Sequence, residues 1–291
     1  MDKNVKIGWI GTGVMGRSMV LHLMKAGYAC TLFSRTKSKA EKLLDAGAKW
    51  ANSPAEMAKQ CDIVFSMVGF PDDVRQVLMG ESGAIANMNP NGLKIVVDMT
   101  TSSPRLAVEM ERWGALYGVS VLDAPVSGGD IGARNAALSI MVGGDKEVFD
   151  QVLSLFRLMG KTIVYQGSAG AGQHTKMVNQ ILIAGNMLGV CEAILFAQKA
   201  GLNADSMLQS VSTGAAGSWS LTNLAPRIFA EDYSPGFLIE HFVKDLGIVL
   251  EEAKQMNISL PGVELANKLY TKAIESGWGK NGTQALIKVL E

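Results

Sequence analysis

The feature that most restricts the fold is a G-x-G-x-x-G run of glycines at residues 11–16. The run follows an apolar segment, residues 5–10, whose length and β-branched content predict a buried strand. It opens a segment with helical periodicity, residues 14–26, which stops at Gly27. A strand that passes into a helix through so short a turn predicts the start of a strand–helix–strand unit, and therefore a parallel sheet.

The rest of the first half continues this alternation of apolar runs and helical patterns. Further strands are predicted at residues 29–33, 62–67, 94–98, 119–122 and 138–142, and helices at 37–45, 72–79 and 103–117. After about residue 167 the strand signals almost vanish. Helices are predicted there at residues 173–200, 204–212, 238–256, 263–275 and 283–290. We therefore expect an α/β domain over residues 1–167 and an all-α domain over residues 168–291.

The glycine run has the spacing of a dinucleotide-binding loop. Gly11 permits the tight turn, Gly13 lets a pyrophosphate approach the backbone, and Gly16 allows the helix to pack closely on the strand. The helix N-terminus then presents unpaired N–H groups to the phosphates. The alternative is a simple strand-to-helix turn. The position of the run at the start of an α/β half favours a Rossmann-type domain, whose candidate cofactor loop also includes Thr12, Val14 and Met15.

The end of the second predicted strand bears on the choice of dinucleotide. NAD sites commonly place a carboxylate there to bind the adenosine ribose, and this strand instead continues into Ser34, Arg35 and Thr36. The planar guanidinium of Arg35 suits a 2′-phosphate, with the two hydroxyls as further donors. The alternative is a solvated surface arginine. We predict a preference for NADP, with NAD also usable.

Composition excludes several classes of protein. Lys plus Arg and Asp plus Glu both number 27, and no basic cluster is visible, which disfavours a nucleic-acid binder. The three cysteines are far apart and lack metal-ligand spacing, so we expect buried thiols, no disulfide and no metal. The first residues do not resemble a signal peptide, and no uninterrupted apolar stretch is long enough to span a bilayer. We expect a cytoplasmic protein that binds no membrane.

Four segments, in order and over essentially the whole chain, resemble the β-hydroxyacid dehydrogenase family, which includes 3-hydroxyisobutyrate dehydrogenase, tartronate semialdehyde reductase and the glyoxylate/succinic semialdehyde reductases. The segments are the cofactor loop at residues 7–16, Asp-Ala-Pro-Val-Ser-Gly-Gly at 123–129, Gly-Ala-Gly-Gln-His-Thr-Lys-Met-Val-Asn-Gln at 170–180, and Lys-Asp-Leu at 244–246. One departure is Gln180, because the family commonly has a second asparagine there.

The resemblance implies roles for individual residues. Lys176 would be the proton-transfer group, because an apolar setting lowers the pKa of a lysine towards neutrality. Asn179 and Gln180 follow at i+3 and i+4 on the same helix face and would hold Lys176 or bind the substrate hydroxyl. A carboxylate would bind the hydroxyl and backbone N–H groups of Ser127, Gly128 and Gly129. The resemblance also implies cofactor contacts from Thr101 and Lys244. Met67 and Val68 end an earlier predicted strand and are expected to line the cofactor, and Phe237 packs either beside the cofactor or in the core.

These features together predict an oxidoreductase that transfers a hydride between NADP(H) or NAD(H) and a small carboxylate-bearing β-hydroxy acid, or the corresponding semialdehyde or 2-oxo acid. An imine reductase, another reaction on the same scaffold such as that of 6-phosphogluconate dehydrogenase, and a non-catalytic dinucleotide sensor are the alternatives. The intact Lys176 disfavours the imine reductase, and the short chain and Asn179-Gln180 disfavour 6-phosphogluconate dehydrogenase. We expect the helical domain to bind substrate and to form a homodimer or homotetramer.

Overall fold

The computed structural model describes all 291 residues, which form two compact units, Met1–Lys176 and Met177–Glu291. All the strands lie in the first unit. They are β1 Ile7–Ile10, β2 Cys30–Phe33, β3 Lys49–Trp50, β4 Ile63–Ser66, β5 Ile95–Asp98, β6 Ser120–Asp123, β7 Val126–Ser127, β8 Leu138–Gly143 and β9 Gly160–Gly167. The last strand ends at residue 167, whereas the last strand that the sequence predicts ends at residue 142.

Helices connect the strands in the first unit and make up the second. They are α1 Val14–Lys25, α2 Glu41–Asp45, α3 Pro54–Ala58, α4 Pro71–Leu78, α5 Pro104–Leu116, α6 Gly129–Arg134, α7 Lys146–Phe156, α8 Ala171–Lys199, α9 Ala204–Ser212, α10 Trp219–Phe229, α11 Ile239–Gln255 and α12 Pro261–Glu275. Short 3₁₀ turns occupy Lys37–Ala40, Ile85–Asn87 and Thr283–Val289. The last of these differs from the α-helix that the sequence predicts at residues 283–290.

The nine strands form one sheet in the order β3-β2-β1-β4-β5-β6-β8-β7, with β9 paired to β8. The six strands from β3 to β6 are parallel, and β8 runs antiparallel to β6 and β7. The direction of chain progression reverses between β1 and β4. In open α/β sheets ligands bind at this reversal, beyond the carboxyl ends of the strands. The glycine run follows β1 directly, so it lies at that point.

Alternate side chains of the central strands supply a core on each face of the sheet. Ile7 and Trp9 of β1 pack on one face with Phe65 of β4, while Ile10 and Val64 pack on the other. The rings of Trp9 and Phe65 are stacked with centroids 5.5 Å apart. Strands that are apolar on both faces can only be buried between two layers of helices, which gives the Rossmann-type domain that the sequence predicts.

The second unit is entirely helical and has its own core. Its buried residues come from α8, α10, α11, α12 and the last 3₁₀ turn, and they surround Phe242 and Tyr270, whose rings meet edge to face at 4.9 Å. By length and composition alone, α8 is the one helix in the chain that could cross a membrane, but a core helix of a soluble protein passes the same test. The fold is an α/β Rossmann-type domain followed by an all-α domain, which confirms the fold class that the sequence predicts.

The three cysteines are free and buried, as the sequence predicts. Burial raises the pKa of the thiols of Cys30 and Cys191 to about 12 and that of Cys61 to about 11. A thiol reacts through its thiolate, so these side chains serve as small apolar groups.

Candidate active site

The glycine turn after β1 is fixed by packing at two of its three glycines. Gly11 has a φ of 94°, and a Cβ there would lie 2.2 Å from the carbonyl oxygen of Met67. A Cβ on Gly16 would lie 2.1 Å from the carbonyl oxygen of Gly11. A Cβ on Gly13 would meet no atom within 4 Å. The chain itself does not require glycine at position 13, so the space there is available to a ligand.

The surroundings of Gly13 fit a dinucleotide pyrophosphate. Gly13 is the N-cap of α1, makes no side-chain cap, and is followed by a first turn without an acidic residue. The helix dipole and the N–H groups of that turn favour an anion. The hydroxyl of Thr12 is buried without a hydrogen-bond partner within the chain. An open space, free N–H donors and an unpaired hydroxyl are together what a bound diphosphate needs.

Trp9 supports this turn, a role that is not predicted from the sequence. Its indole Nε1 donates to the carbonyl oxygen of Gly11 at 2.9 Å, and the residue is fully buried. The bond fixes the carbonyl of the left-handed glycine. The only sequence feature that pointed to this role is the position of the tryptophan two residues before a glycine turn. A tryptophan at that position is equally typical of core packing.

The end of β2 places Arg35 against a carboxylate from another element. Arg35 is 72% exposed at its side chain, and its guanidinium pairs with Asp73 at 2.8 Å. A second nitrogen lies 3.5 Å from the other oxygen, which also accepts the N–H of Phe70. Ser34 is half-buried and Thr36 is exposed. The pairing of Asp73 with Arg35 is not predicted from the sequence, because an acidic residue in the first turn of a helix is already explained by its favourable interaction with the helix dipole.

The ends of β4 and β5 are joined through Asp98 and Thr100. The Ser66 hydroxyl donates to Asp98 Oδ1 at 2.7 Å, and the Thr100 N–H donates to the same oxygen at 3.1 Å. The N–H of Val68 donates to the Thr100 hydroxyl at 3.0 Å. Burial raises the pKa of Asp98 to about 6. The segment of Met67 and Val68 is thereby tied to the loop that carries Thr101.

The Ser127-Gly128-Gly129 segment ends β7 and begins α6. Gly128 and Gly129 have φ values of 130° and 61°, so both adopt a backbone that favours glycine. Asp130 in the first turn pairs with Arg134 at 2.7 Å, which offsets its charge next to the proposed carboxylate site. The three half-buried residues therefore form a glycine turn at the start of a helix, a kind of backbone that can bind an anion.

Lys176 lies in the second turn of α8 and is 6% exposed. The carboxylate of Asp123, at the end of β6, accepts the N–H groups of Gly170 and Gln173 at 2.8 Å each, which caps the start of this helix. A lysine so buried is rare unless its ammonium has a specific use or partner. His174, two residues earlier, is exposed, as expected for a residue on another helix face.

In the helical unit, Asn179, Gln180 and Lys244 are joined through Asp245 by hydrogen bonds and an ion pair. Asn179 Nδ2 donates to Gln180 Oε1 at 2.7 Å, and Gln180 Nε2 donates to Asp245 Oδ2 at 2.5 Å. The ammonium of Lys244 lies 2.8 Å from Asp245 Oδ1. Asp245 is 1% exposed and is the centre of the network. Asp245 has no predicted role of its own beyond its place in the Lys-Asp-Leu motif, because its partner Gln180 on α8 is 65 residues away in the sequence.

Two predictions about the site remain, the cofactor contact of Phe237 and the absence of a metal ion. Phe237 is partly buried and packs edge to face on Phe242 at 5.7 Å, an apolar contact within the helical core. No group of three or more His, Cys, Asp or Glu side chains could hold a metal ion. The role of Phe237 towards the cofactor and the metal-free site both stay predictions.

Comparison with known proteins supports the class that this geometry indicates. Residues 6–167 match the NAD binding domain of 6-phosphogluconate dehydrogenase, and residues 170–290 match the NAD-binding domain of NADP-dependent 3-hydroxyisobutyrate dehydrogenase. The chain is 50% identical to probable 3-hydroxyisobutyrate dehydrogenase-like 1, mitochondrial, of Arabidopsis thaliana, over 99% of this chain and 86% of the relative. It is 38% identical to 2-hydroxy-3-oxopropionate reductase of Escherichia coli, over 99% and 97%.

A solved structure shows the same fold over nearly all of the chain. Mycobacterium tuberculosis 3-hydroxyisobutyrate dehydrogenase with L-serine superposes with a TM-score of 0.88 at 27% identity, covering 99% of each chain. The fold and the two family matches define an NAD(P)-binding oxidoreductase that acts on hydroxy acids. Within that class, the chain belongs to the β-hydroxyacid dehydrogenase family.

Proposed function

We propose that the chain interconverts a small β-hydroxy acid and its semialdehyde or oxo form, with Lys176 as the proton-transfer group and NADP(H) preferred over NAD(H). The observation that carries the proposal is Lys176 itself, a lysine with only 6% exposure on a capped helix start. When bound, the nicotinamide supplies or accepts the hydride. The proton that accompanies it needs a buried group of the protein, and Lys176 is suited to that task.

The roles of the other residues follow from their chemistry. In reduction, the Lys176 ammonium donates a hydrogen bond and then a proton to the carbonyl oxygen; in oxidation, the amine accepts the hydroxyl proton. Ser127 and the backbone of Gly128 and Gly129 bind the substrate carboxylate. Asn179 lies one turn after Lys176, and its amide is oriented by Gln180. The glycine turn would hold the pyrophosphate, for which the open space beside Gly13 provides room.

The substrate class is supported by the names of the relatives. The Escherichia coli relative is a 2-hydroxy-3-oxopropionate reductase, and the Mycobacterium structure contains L-serine. In 2-hydroxy-3-oxopropionate and in L-serine, the carbon next to the carboxylate also carries a one-carbon group, an aldehyde in the first and a hydroxymethyl group in the second. We infer a substrate of the same pattern, with the carboxylate at Ser127 and the reacting oxygen at Lys176. We further propose a cytoplasmic enzyme that works as a homodimer or homotetramer.

The test is NADPH oxidation with short semialdehydes, each compared with the same aldehyde lacking its carboxylate. We expect turnover only with the acids. Lys176→Ala should lower kcat by about 10²- to 10⁴-fold, the usual contribution of a proton-transfer group, and leave cofactor affinity nearly intact. Lys199→Ala is the matched control, because Lys199 is an exposed lysine at the other end of the same helix. A loss below about threefold in Lys176→Ala would exclude the proton-transfer role.

A further inference from the structure

Gln173 is a buried polar residue to which the proposed function gives no role. It lies in the first turn of α8, three residues before Lys176, and its side chain is completely buried. Burying a primary amide is unfavourable unless its donor and acceptor are both paired. The hydrogen bonds of Gln173 therefore indicate what its side chain is placed to hold.

The side-chain amide of Gln173 binds the backbone of the loop that follows β5. The N–H of Ser102 donates to its Oε1 at 2.9 Å, and its Nε2 donates to the carbonyl oxygen of Thr100 at 2.8 Å. These two backbone groups lie on either side of Thr101. One side chain thus fixes the loop immediately before and after a proposed cofactor contact.

The backbone of Gln173 is held by the neighbouring strand. Its N–H donates to Asp123 at the end of β6, and the N–H of Gly170 donates to the other oxygen of the same carboxylate. A Cβ at Gly172 would lie 2.7 Å from Asp123 Oδ2, so this close approach requires glycine. The first turn of α8 is consequently attached to β6 by its backbone and to the loop after β5 by a side chain.

Thr100 extends this attachment to β4. Its hydroxyl accepts the N–H of Val68, and its own N–H is bound to Asp98. A continuous path of hydrogen bonds therefore leads from the end of β4, through Thr100 and Gln173, into the helix that carries Lys176. Each link joins a backbone group to a side chain, so the path fixes main-chain positions rather than side-chain rotamers alone.

We propose that Gln173 is a positioning residue that fixes the start of α8, and with it Lys176, against the loop carrying Thr101. The proposal rests on the proton-transfer role proposed for Lys176. An α-helix is stiff over one turn, so a displacement at Gln173 is transmitted to Lys176. A displacement of about 1 Å between reacting groups can cost about 100-fold in rate. Loss of the Gln173 amide should therefore lower kcat without much change in cofactor binding.

The first variant is Gln173→Met, which keeps the length of the side chain and removes both hydrogen bonds. The matched control is Gln284→Met in the helical unit. Gln284 is also buried, at 1% exposure, and its amide donates to two backbone carbonyls, those of Asp232 and Ser234. Both variants lose a buried amide, so their losses of stability should be similar. Only Gln173→Met should lower kcat, by about 10- to 100-fold, with the KM for cofactor within about threefold.

The second variant, Gln173→Glu, tests the hydrogen-bond pattern within one folded protein. A protonated glutamic acid can accept from Ser102 and donate to Thr100 as the amide does, whereas the ionised form would face the Thr100 carbonyl with a negative charge. Asp98 and Asp123 raise the pKa of a carboxyl at this position, and Lys176 lowers it. We expect the ratio of the Gln173→Glu kcat to the wild-type kcat to be close to one at low pH and to fall as pH rises through that pKa. Taking the ratio removes the pH dependence that both proteins share through Lys176.

Hydrogen exchange supplies a measurement that does not depend on activity. In Gln173→Met the amides of residues 100–102 and of the first turn of α8 should exchange faster together, and in Gln284→Met they should not. The inference is overturned if kcat in Gln173→Met stays within about threefold of the wild type, or if exchange increases only in the helix. If the wild type turned over none of the semialdehydes, the proposed function would fail, and the exchange result would still decide whether Gln173 couples loop and helix.

Discussion

The ion pair between Arg35 and Asp73 affects how strongly the protein can prefer NADP over NAD, because Asp73 occupies the guanidinium that would bind the 2′-phosphate. A 2′-phosphate must compete with Asp73 for the guanidinium, or share it. The pair is formed by an arginine that is 72% exposed, and such surface pairs contribute only about 0–1 kcal/mol. A charge-assisted bond to a phosphate contributes about 1.5–3 kcal/mol, so the phosphate is the stronger partner. Asp73 should reduce the preference and not abolish it.

The first prediction concerns the ratio of kcat/KM for NADPH to that for NADH. We expect a ratio of about 10 to 100 in the wild type, because each 1.4 kcal/mol corresponds to tenfold. Arg35→Ala should bring it close to unity. Asp73→Asn should raise it by up to about fivefold, because the competing charge is removed while an oxygen remains for the Phe70 N–H.

The control for these variants is the nearby ion pair of Arg75 with Glu109, which is also exposed. Glu109→Gln removes a carboxylate from the same surface and should leave the ratio unchanged. Equal use of both cofactors by the wild type, or an unchanged ratio in Arg35→Ala, would show that Arg35 does not bind the 2′-phosphate.

The second prediction concerns Asp98, whose pKa is raised by burial to about 6 from an ordinary 3.8. A raised pKa means that the folded state binds the proton more tightly than the unfolded chain does. Asp98 therefore destabilises the fold increasingly as pH rises from about 4 to about 6. Asp98→Asn is neutral throughout and keeps an oxygen for Ser66 and Thr100. Its stability relative to the wild type should rise across this window by up to about 3 kcal/mol.

Urea unfolding at about pH 4 and about pH 7 measures this change. Asp45→Asn is the control, because Asp45 is an exposed aspartate, and its difference from the wild type should be nearly the same at both pH values. A difference between Asp98→Asn and the wild type that is equal at the two pH values would contradict the prediction.

At the residue scale, the sequence predicted candidate positions more readily than their partners. Lys176, Asn179 and Gln180 were found because a motif groups them on one helix. Asp98, Asp245 and Asp73 were not, because each acts on residues that are distant along the chain. Asp98 and Ser66 are 32 positions apart, and Asp245 and Gln180 are 65 apart. Local patterns do not contain such pairings, which come from strand order and helix packing.

At the scale of elements, the α/β half of the chain was predictable because its central strands are apolar on both faces. The strand Gly160–Gly167 and the helices Lys146–Phe156 and Trp219–Phe229 were not predicted from the sequence. The strand is mostly exposed or half-buried, so it lacks an apolar run. The third element contains Pro226, which is unfavourable inside a helix, and follows a glycine-rich segment that resembles a loop. Packing of Leu221, Leu224 and Ile228 into the helical core outweighs that local signal.

The third prediction concerns the glycine turn as a unit of structure. Gly13→Ala should fold normally, because its Cβ enters open space, and should bind NADPH at least about tenfold more weakly, because that space is needed by the pyrophosphate. Gly11→Ala should lose stability instead, by about 1–3 kcal/mol or more, because a positive φ and a backbone clash are combined there.

Gly27→Ala separates the effect of a positive φ from the effect of a backbone clash. Gly27 has a φ of 92° but open space around a Cβ, so it should lose about 1 kcal/mol of stability and no cofactor affinity. Thermal unfolding and NADPH fluorescence titration provide the two measurements. Normal NADPH affinity in Gly13→Ala would show that the open space beside α1 is not the phosphate site.

At the scale of the whole molecule, one face of α8 bears on the oligomer prediction. Val178, Leu182 and Phe196 are 58%, 62% and 75% exposed, and a Cβ on Gly185 or Gly189 would meet nothing. These five positions follow one another at intervals of three, four and seven residues, so they form a single stripe along the helix. Exposed apolar stripes of this kind mark contacts with another protein surface or with a membrane. Small residues at its centre would let a second helix approach closely.

The fourth prediction is that this stripe joins copies of the chain. Light scattering at micromolar concentration should give the mass of a dimer or tetramer for the wild type and a smaller mass for Phe196→Glu, because a buried unpaired carboxylate is strongly unfavourable. Leu116→Glu is the control, because Leu116 is equally exposed, at 75%, but lies on α5 of the first unit, and its mass should equal that of the wild type. A wild-type monomer would refute the oligomer. Flotation of a wild-type monomer with phospholipid vesicles, abolished in Phe196→Glu, would assign the stripe to a membrane instead.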